Sequence, residues 1–378
     1  MSEITKINGA NYADIAKING IATADIAKLN SATIPASSTG ASYWIAVGDD
    51  RRVGYITDAD LKAENDWTDY DAFSGGSSPN PSSSNDHISV AYGKDENGDE
   101  IWVASYATDG CELAYKEGVP SSGPWTGVNS DSSNANLTGR RFQIQWGNDV
   151  WIAVGKMDGK DIFRSTNGKD WTLIAMDSVS QINTSAMYAL ASNGTGTWWC
   201  AQQNRIYQST NDGQTWSLLH TLLDSSNADP GDIRVLAYTN ATLFAGVNGG
   251  ECFTAAEADL TDWSTETTIT GHASACFAQD VRVAAAGGRV IAVGGQNKTI
   301  LDIDGKNITV VSNGVDFSQT SHGTLSSIST DGTGTWCVSA FTGDMWFSTD
   351  NGVNFVASEQ NMGSKDMLDC APNVTLPL

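Results

Sequence analysis

Arg234 and Arg282 occupy matching places in two apolar segments, Ile233-Arg-Val-Leu-Ala237 and Val281-Arg-Val-Ala-Ala285. Each segment begins one unit of an internal repeat. The two guanidinium groups are therefore expected at one mouth of the channel that such a repeat encloses, as ligand contacts or as solvated lining residues. His87, His272 and His322 fall just before segments of the same kind and are expected together on one face. A metal centre needs ligands converging from different units, and nothing in this spacing brings them together, so exposed loop histidines are the expectation. The six cysteines, Cys111, Cys200, Cys252, Cys276, Cys337 and Cys370, form no CxxC pair and read as small buried residues. No HExxH, Walker-type loop, EF-hand loop or GxSxG elbow occurs, which leaves hydrolase and nucleotide chemistry without a motif. Asp/Asn-rich turns can hold Ca²⁺ singly, but the same residues are ordinary turn formers. No catalytic residue, metal or cofactor is expected.

The 378 residues carry 44 Asp and Glu against 21 Lys and Arg, a net charge of -23. Phosphate neutralisation by Lys and Arg drives binding to nucleic acids and anionic membranes, so neither is an expected partner. Charged residues make up only 17% of the chain and hydrophobic residues 40%, so the acidity reflects a shortage of Lys and Arg on a Ser-, Thr-, Asn- and Gly-rich surface. This is not a disordered polyanion. No apolar stretch approaches the roughly 18 residues of a membrane span, and Met1-Ser-Glu-Ile-Thr-Lys6 lacks a signal pattern. Membrane insertion is not expected.

From residue 42 onward the chain repeats a unit of about four short strands. Its second strand is the easiest to see: Trp44-Ile-Ala-Val-Gly48, Trp102-Val-Ala-Ser105, Trp151-Ile-Ala-Val-Gly155, Trp199-Cys-Ala201, Phe244-Ala-Gly-Val247, Ile291-Ala-Val-Gly294 and Trp336-Cys-Val-Ser339. These copies are spaced by 58, 49, 48, 45, 47 and 45 residues. Such a period predicts an all-β fold, a seven-bladed β-propeller over residues 42–378, preceded by a repeat strap and linker over residues 1–41. Unit one lacks a first strand before Trp44. Met367-Leu-Asp-Cys-Ala-Pro-Asn373 follows the spacing of Met187-Tyr-Ala-Leu-Ala-Ser-Asn193, so residues 367–373 are expected to supply the innermost strand of blade one. Closure of this kind removes sheet edges, and Pro372 is tolerable near a strand end.

Polar turns close the units on an aromatic residue. Ser209-Thr-Asn-Asp-Gly-Gln-Thr-Trp216 and Ser348-Thr-Asp-Asn-Gly-Val-Asn-Phe355 resemble the Asp box, Ser-x-Asp-x-Gly-x-Thr-Trp, with Asn211 and Asn354 as departures. Ser165-Thr-Asn-Gly-Lys-Asp-Trp171 is one residue shorter, and Asp302-Ile-Asp-Gly-Lys-Asn-Ile308 shares that spacing. The Asp or Asn oxygen (Asn167, Asn211, Asp350) can accept backbone N–H groups, the glycine (Gly168, Gly213, Gly352) permits positive φ, and Trp171, Trp216 or Phe355 packs between sheets. The box, with Ser165, Ser209 and Ser348, is thus a folding device. The resemblance is to Asp-box (BNR, sialidase-like) propellers and covers residues 42–378. A sialidase of this kind implies three arginines around a carboxylate, a Tyr/Glu nucleophile pair and an acid/base Asp. No third arginine aligns with Arg234 and Arg282, so binding without catalysis is expected, with a glycan hydrolase or soluble glycan-binding propeller as the alternative. The polar connectors Ser74–Asn85 and Gly127–Thr138 suit sugar hydroxyls or plain solvent.

Residues 7–35 repeat with a period of 11: Ile7-Asn-Gly-Ala-Asn-Tyr-Ala-Asp-Ile-Ala-Lys17, Ile18-Asn-Gly-Ile-Ala-Thr-Ala-Asp-Ile-Ala-Lys28 and Leu29-Asn-Ser-Ala-Thr-Ile-Pro35. Asn-Gly favours a tight turn, and Ala-Asp-Ile-Ala-Lys suits one helical turn. Ile7, Ile15, Ile18, Ile26 and Leu29 supply apolar points too few to fold alone, which predicts a docking strap. The leader resembles those of structural proteins in large marine phages. That resemblance implies a virion protein of tail, baseplate, neck or fibre, anchored to other virion proteins through residues 1–35, made in the host cytoplasm and released by lysis. Its propeller would face outward for attachment to a host surface glycan or as a spacer.

Overall fold

The computed structural model describes residues 6–7, 10–11, 17–18, 21–22, 41–63, 67–73, 87–106, 113–128, 140–156, 161–176, 178–183, 185–248, 251–266, 282–286, 289–294, 299–304, 307–311, 325–340, 342–357 and 366–374. Two compact units divide the chain, Met1–Thr39 and Gly40–Leu378. In the first, Lys6–Ile7 pairs antiparallel with Ala10–Asn11, and Lys17–Ile18 with Ile21–Ala22. The pairing recurs at the 11-residue period, each time across an Asn-Gly pair whose tolerance of positive φ suits a two-residue link. Ile7 and Ile18 lie in these strands. Ile15, Ile26 and Leu29 lie outside the described residues, as do nearly all of the two expected helical turns.

The described strands of the second unit form seven four-stranded antiparallel sheets. Sheet 1 combines Met367–Pro372 with Tyr43–Gly48, Arg52–Thr57 and Thr68–Asp71. Sheet 2 is His87–Lys94, Glu100–Tyr106, Leu113–Glu117 and Thr126–Gly127; sheet 3 is Arg140–Gly147, Val150–Lys156, Asp161–Ser165 and Thr172–Ala175. Sheet 4 is Met187–Ser192, Trp198–Gln202, Arg205–Ser209 and Ser217–Thr221; sheet 5 is Ile233–Thr239, Thr242–Val247, Cys252–Ala256 and Ser264–Glu266. Sheet 6 is Arg282–Ala286, Arg289–Gly294, Thr299–Asp304 and Asn307–Val311; sheet 7 is Leu325–Thr330, Trp336–Ala340, Met345–Ser348 and Val356–Ala357. The first strand of each sheet packs beside that of the next, and the order of neighbours returns from sheet 7 through sheet 1 to sheet 2. The innermost strands therefore surround a channel.

Apolar burial sits between sheets. The second strands read as continuous apolar runs because both faces of each sheet are covered by neighbours. Trp102 joins Tyr43 and Ile45 between sheets 1 and 2, Trp151 joins Ile101 and Val103 between sheets 2 and 3, and Trp336 joins Ile291 and Val293 between sheets 6 and 7. Trp44, Trp102, Trp151, Trp198, Trp199 and Trp336 are fully buried. Cys200, Cys252, Cys337 and Cys370 are buried.

The innermost strands share a feature that period-2 patterning does not announce. Six of them shift register just after they begin: between His87 and Ser89, Arg140 and Gln143, Met187 and Ala189, Ile233 and Val235, Leu325 and Ser327, and Met367 and Asp369. A bulge bends the strand and re-aims the extra side chain. Repeated around the ring, it sets Tyr188, Arg234 and Ser326 apart from the regular alternation.

Candidate functional site

A cavity of about 220 Å³ fills the channel and is lined by all seven innermost strands. Its lining reaches residues just before the turns into the second strands, including Tyr92, Trp146, Tyr238 and Thr330. These lie at the end of the ring that also carries the third-to-fourth strand turns.

Each inner strand turns one edge toward the channel, and side chains from the preceding sheet close part of it. Cys370 N–H donates to Ser327 Oγ (3.4 Å), Val90 N–H to Asp369 Oδ2 (2.9 Å), Ile144 N–H to Ser89 Oγ (3.4 Å) and Leu190 N–H to Gln143 Oε1 (3.0 Å). Ser327, Asp369, Ser89 and Gln143 are each the first paired residue after the bulge. Asp369 is nearly buried and also accepts from Cys370 N–H (3.0 Å) and the Ser327 hydroxyl, so both its oxygens are engaged. In sheets 4 and 5 the same register place holds Ala189 and Val235, which have no acceptor to offer.

Aromatic residues ring the mouth. Gly93 leaves room for Trp146, since a Cβ there would overlap the indole. Tyr92 and Tyr43 both bond through their hydroxyls to Glu100, with Tyr43 at 3.0 Å. Burial first, then the Glu100 charge, pushes the Tyr92 phenol up. Tyr238 donates to Glu257 Oε2 (2.5 Å), and Asn193 Nδ2 donates to Glu257 Oε1 (2.8 Å). Burial and then Glu257 push Tyr238 up to about 12. These phenols remain neutral donors, and their carboxylates serve as positioning groups.

At the opposite end, Arg234 falls in the bulge of sheet 5, stacks its guanidinium over the Tyr188 ring at 3.9 Å and donates to Asp232 Oδ2 (3.1 Å). Its Nε is buried without a partner. Arg282 is not in the equivalent place, because it is paired in regular register opposite Val293. Its side chain lies outside the described residues, and Arg234 is not among the residues that line the cavity. His87 begins an inner strand; His272 and His322 lie outside the described residues. Among the described residues no group of three His, Cys, Asp or Glu is placed to hold a metal ion.

Three third-to-fourth strand turns share one hydrogen-bond arrangement. Ser165 Oγ, Ser209 Oγ and Ser348 Oγ accept from the N–H of Gly168, Gly213 and Gly352 at 2.8, 3.0 and 2.9 Å. Asn167, Asn211 and Asp350 accept from N–H groups of Asp170, Thr215 and Asn354 at 2.8, 3.0 and 2.9 Å. Trp171 Nε1 and Trp216 Nε1 return bonds to Gly168 O and Gly213 O (3.1 and 3.0 Å). Trp171, Trp216 and Phe355 each pack against the preceding sheet. The glycines do more than supply positive φ, for Gly213 backs onto Ile152 Cδ1 so closely that no Cβ fits. Sheet 6 lacks this turn, because Asp304 pairs directly with Asn307 across a two-residue link.

Sheets arranged around a channel define the class: this is an all-β β-propeller. Neither protein-family models nor curated protein sequences match the chain. Among solved structures, the chain is similar to YCF48 bound to D1 peptide, with TM-score 0.52 and 14% identity over 88% of this chain and 93% of that one. It is similar to PorZ, a bacterial surface component of the type-IX secretion system of Porphyromonas gingivalis, with TM-score 0.54 and 13% identity over 83% of this chain and 36% of that one. Apo AztD from Citrobacter koseri matches with TM-score 0.50 and 9% identity over 88% of this chain and 98% of that one. At these identities the likeness concerns the fold.

The aromatic mouth and the row of capping residues escaped sequence reasoning. A polar residue recurring at one place in the first strands, Ser89, Gln143, Ser327 and Asp369, was the available signal.

Proposed function

We propose that the chain is a structural protein of a phage virion, in tail, baseplate, neck or fibre, that acts by binding and not by catalysis. Residues 1–35 anchor it to other virion proteins, and a seven-bladed Asp-box propeller, closed by residues 367–373, faces outward for host attachment or as a spacer. The observation that carries the anchoring role is the paired-strand element recurring at Lys6–Asn11 and Lys17–Ala22 in step with the 11-residue repeat. A repeated element suits docking on a repeated or symmetric surface. The described residues that line the cavity include no Lys or Arg, which favours binding over the sialidase alternative, since that alternative requires arginines around a carboxylate. The likeness to a propeller bound to a peptide is consistent with a protein partner in general.

Particles purified from a lysate of the source, probed by mass spectrometry for the full chain and for a form lacking residues 1–35, test this reading. Full-length chain in particles with the truncated form left behind is the expected result. Absence of both forms from particles removes the virion reading and leaves a free glycan-binding or glycan-cleaving propeller.

A further inference from the structure

Among the described residues, the channel edge is polar and occupied on one arc and open on the other. No side chain among the described residues bonds to the amide of Leu236 or Ile328, although both stand in the register place of the capped Leu190 and Cys370. In an antiparallel pair the N–H and C=O of one residue point the same way. Leu236 and Ile328 thus each present a donor and an acceptor side by side on the channel edge, and both line the cavity. Two more lining residues carry enclosed polar atoms without a partner, Gln145 Oε1 and Trp146 Nε1.

We propose that this open arc is a binding site for one neutral sugar ring. A hydroxyl donates and accepts at once and so matches a free N–H beside a free C=O, whereas a carboxylate uses donors alone and an ammonium acceptors alone. Among the described residues the lining includes no cation to balance an anion, and the one carboxylate among them, Asp369, is already engaged on both oxygens. Ala237, Ala284 and Ala285 add apolar surface to the lining, and Tyr92, Trp146 and Tyr238 contribute to it as well. The volume of about 220 Å³ lies below the ~300–1,000 Å³ of pockets for drug-sized ligands, which favours one ring over a chain. The site differs from the Arg234 end of the channel. It deepens the binding role proposed above but does not depend on the particle, because it is read with soluble sugars on the isolated full chain.

Saturation-transfer NMR and titration calorimetry with the methyl glycosides of glucose, galactose and mannose and with N-acetylglucosamine test the proposal. N-acetylneuraminic acid and a blocked neutral dipeptide serve as comparators. At least one neutral sugar is expected to bind, and both comparators to fail. Ala189→Ser places a hydroxyl where Ser89 and Ser327 are already accommodated and caps the Leu236 amide from within. It should weaken binding about threefold to tenfold, the worth of one net hydrogen bond. Ala285→Leu fills the cavity and should abolish binding, with a thermal melt confirming that each variant folds. The proposal is overturned if no neutral sugar binds, if a comparator binds instead, or if folded variants bind as the unaltered chain does. None of those outcomes bears on whether residues 1–35 carry the chain into particles.

Discussion

Sheets 1 and 4 solve the same problem with different material. Sheet 4 is contiguous, residues 187–221, and its inner strand is held by apolar packing of Ala189, Ala191 and Trp199 against sheet 5. Sheet 1 joins residues 43–71 to 367–372 and is fastened by polar contacts at every level. Asn373 Oδ1 accepts from Ser42 N–H (2.7 Å) and Tyr43 N–H (3.0 Å), Ser326 Oγ–H donates to Met367 O, and Asp369 spans sheets 7 and 2. Their outer links differ as well: sheet 4 uses a Ser209–Trp216 turn, while sheet 1 uses a short helix, Asp58–Lys62, capped by Thr57 Oγ1 accepting from Asp60 N–H (3.1 Å). A strand supplied from more than 300 residues away gains no local turn to fix its register, so directional bonds replace turn chemistry.

Removal of residues 366–378 should have the largest effect, the loss of cooperative unfolding, because it strips sheet 1 of its inner strand and opens the ring. A melt that keeps its midpoint and steepness would refute closure by this strand. Asp369→Ala should cost about 3 kcal/mol in urea unfolding, since it leaves the Val90 amide and the Ser327 hydroxyl without a buried acceptor and the Cys370 amide with Ser327 Oγ alone. Asp369→Asn, which keeps one acceptor oxygen, should cost less, and equal losses would mean that the bonds contribute little beyond packing. In sheet 4, Gly213→Ala should cost about 1–3 kcal/mol, combining positive φ (+73°) with a clash against Ile152. Gly118→Ala, at φ +65° with open space around it, is the control for the φ contribution and should cost distinctly less. The smallest effect concerns sheet 7. Burial alone would raise the Asp350 carboxyl, but bonds from the Asn354 N–H and side chain, the Ser348 hydroxyl and the Val353 N–H outweigh it and bring it to about 2. A depressed carboxylate contributes stability above its unfolded value of roughly 3.9, lost as pH falls toward 2. Over that window the unaltered chain should lose slightly more stability than Asp350→Asn. Parallel pH profiles would remove the assignment.

Much of the fold was legible from residues. The Trp-led second strands stand where Trp44, Trp102, Trp151, Trp199 and Trp336 indicate, because an apolar run covered on both faces leaves its mark in composition. Met367-Leu-Asp-Cys and Met187-Tyr-Ala-Leu match in sequence, and both form innermost strands. The turns at Ser165, Ser209 and Ser348 were legible for the same local reason. The site was much less so. Arg234 and Arg282 look alike in sequence, yet one sits in a bulge and the other in regular register. No residue-level signal separates the two conditions.

What the sequence determined by itself is whatever acts within about a dozen residues: strand periodicity, the turn serines and glycines, and the recurrence of Asn-Gly in the leader. What only the tertiary structure decided acts between sheets. Val90 meets Asp369 across 279 residues, and Leu190 meets Gln143 across 47. Whether Ser89, Gln143, Ser327 and Asp369 face solvent or cap a neighbour depends on which strand edge lies beside them. That follows from ring closure and bulge register, which spacing along one strand does not encode.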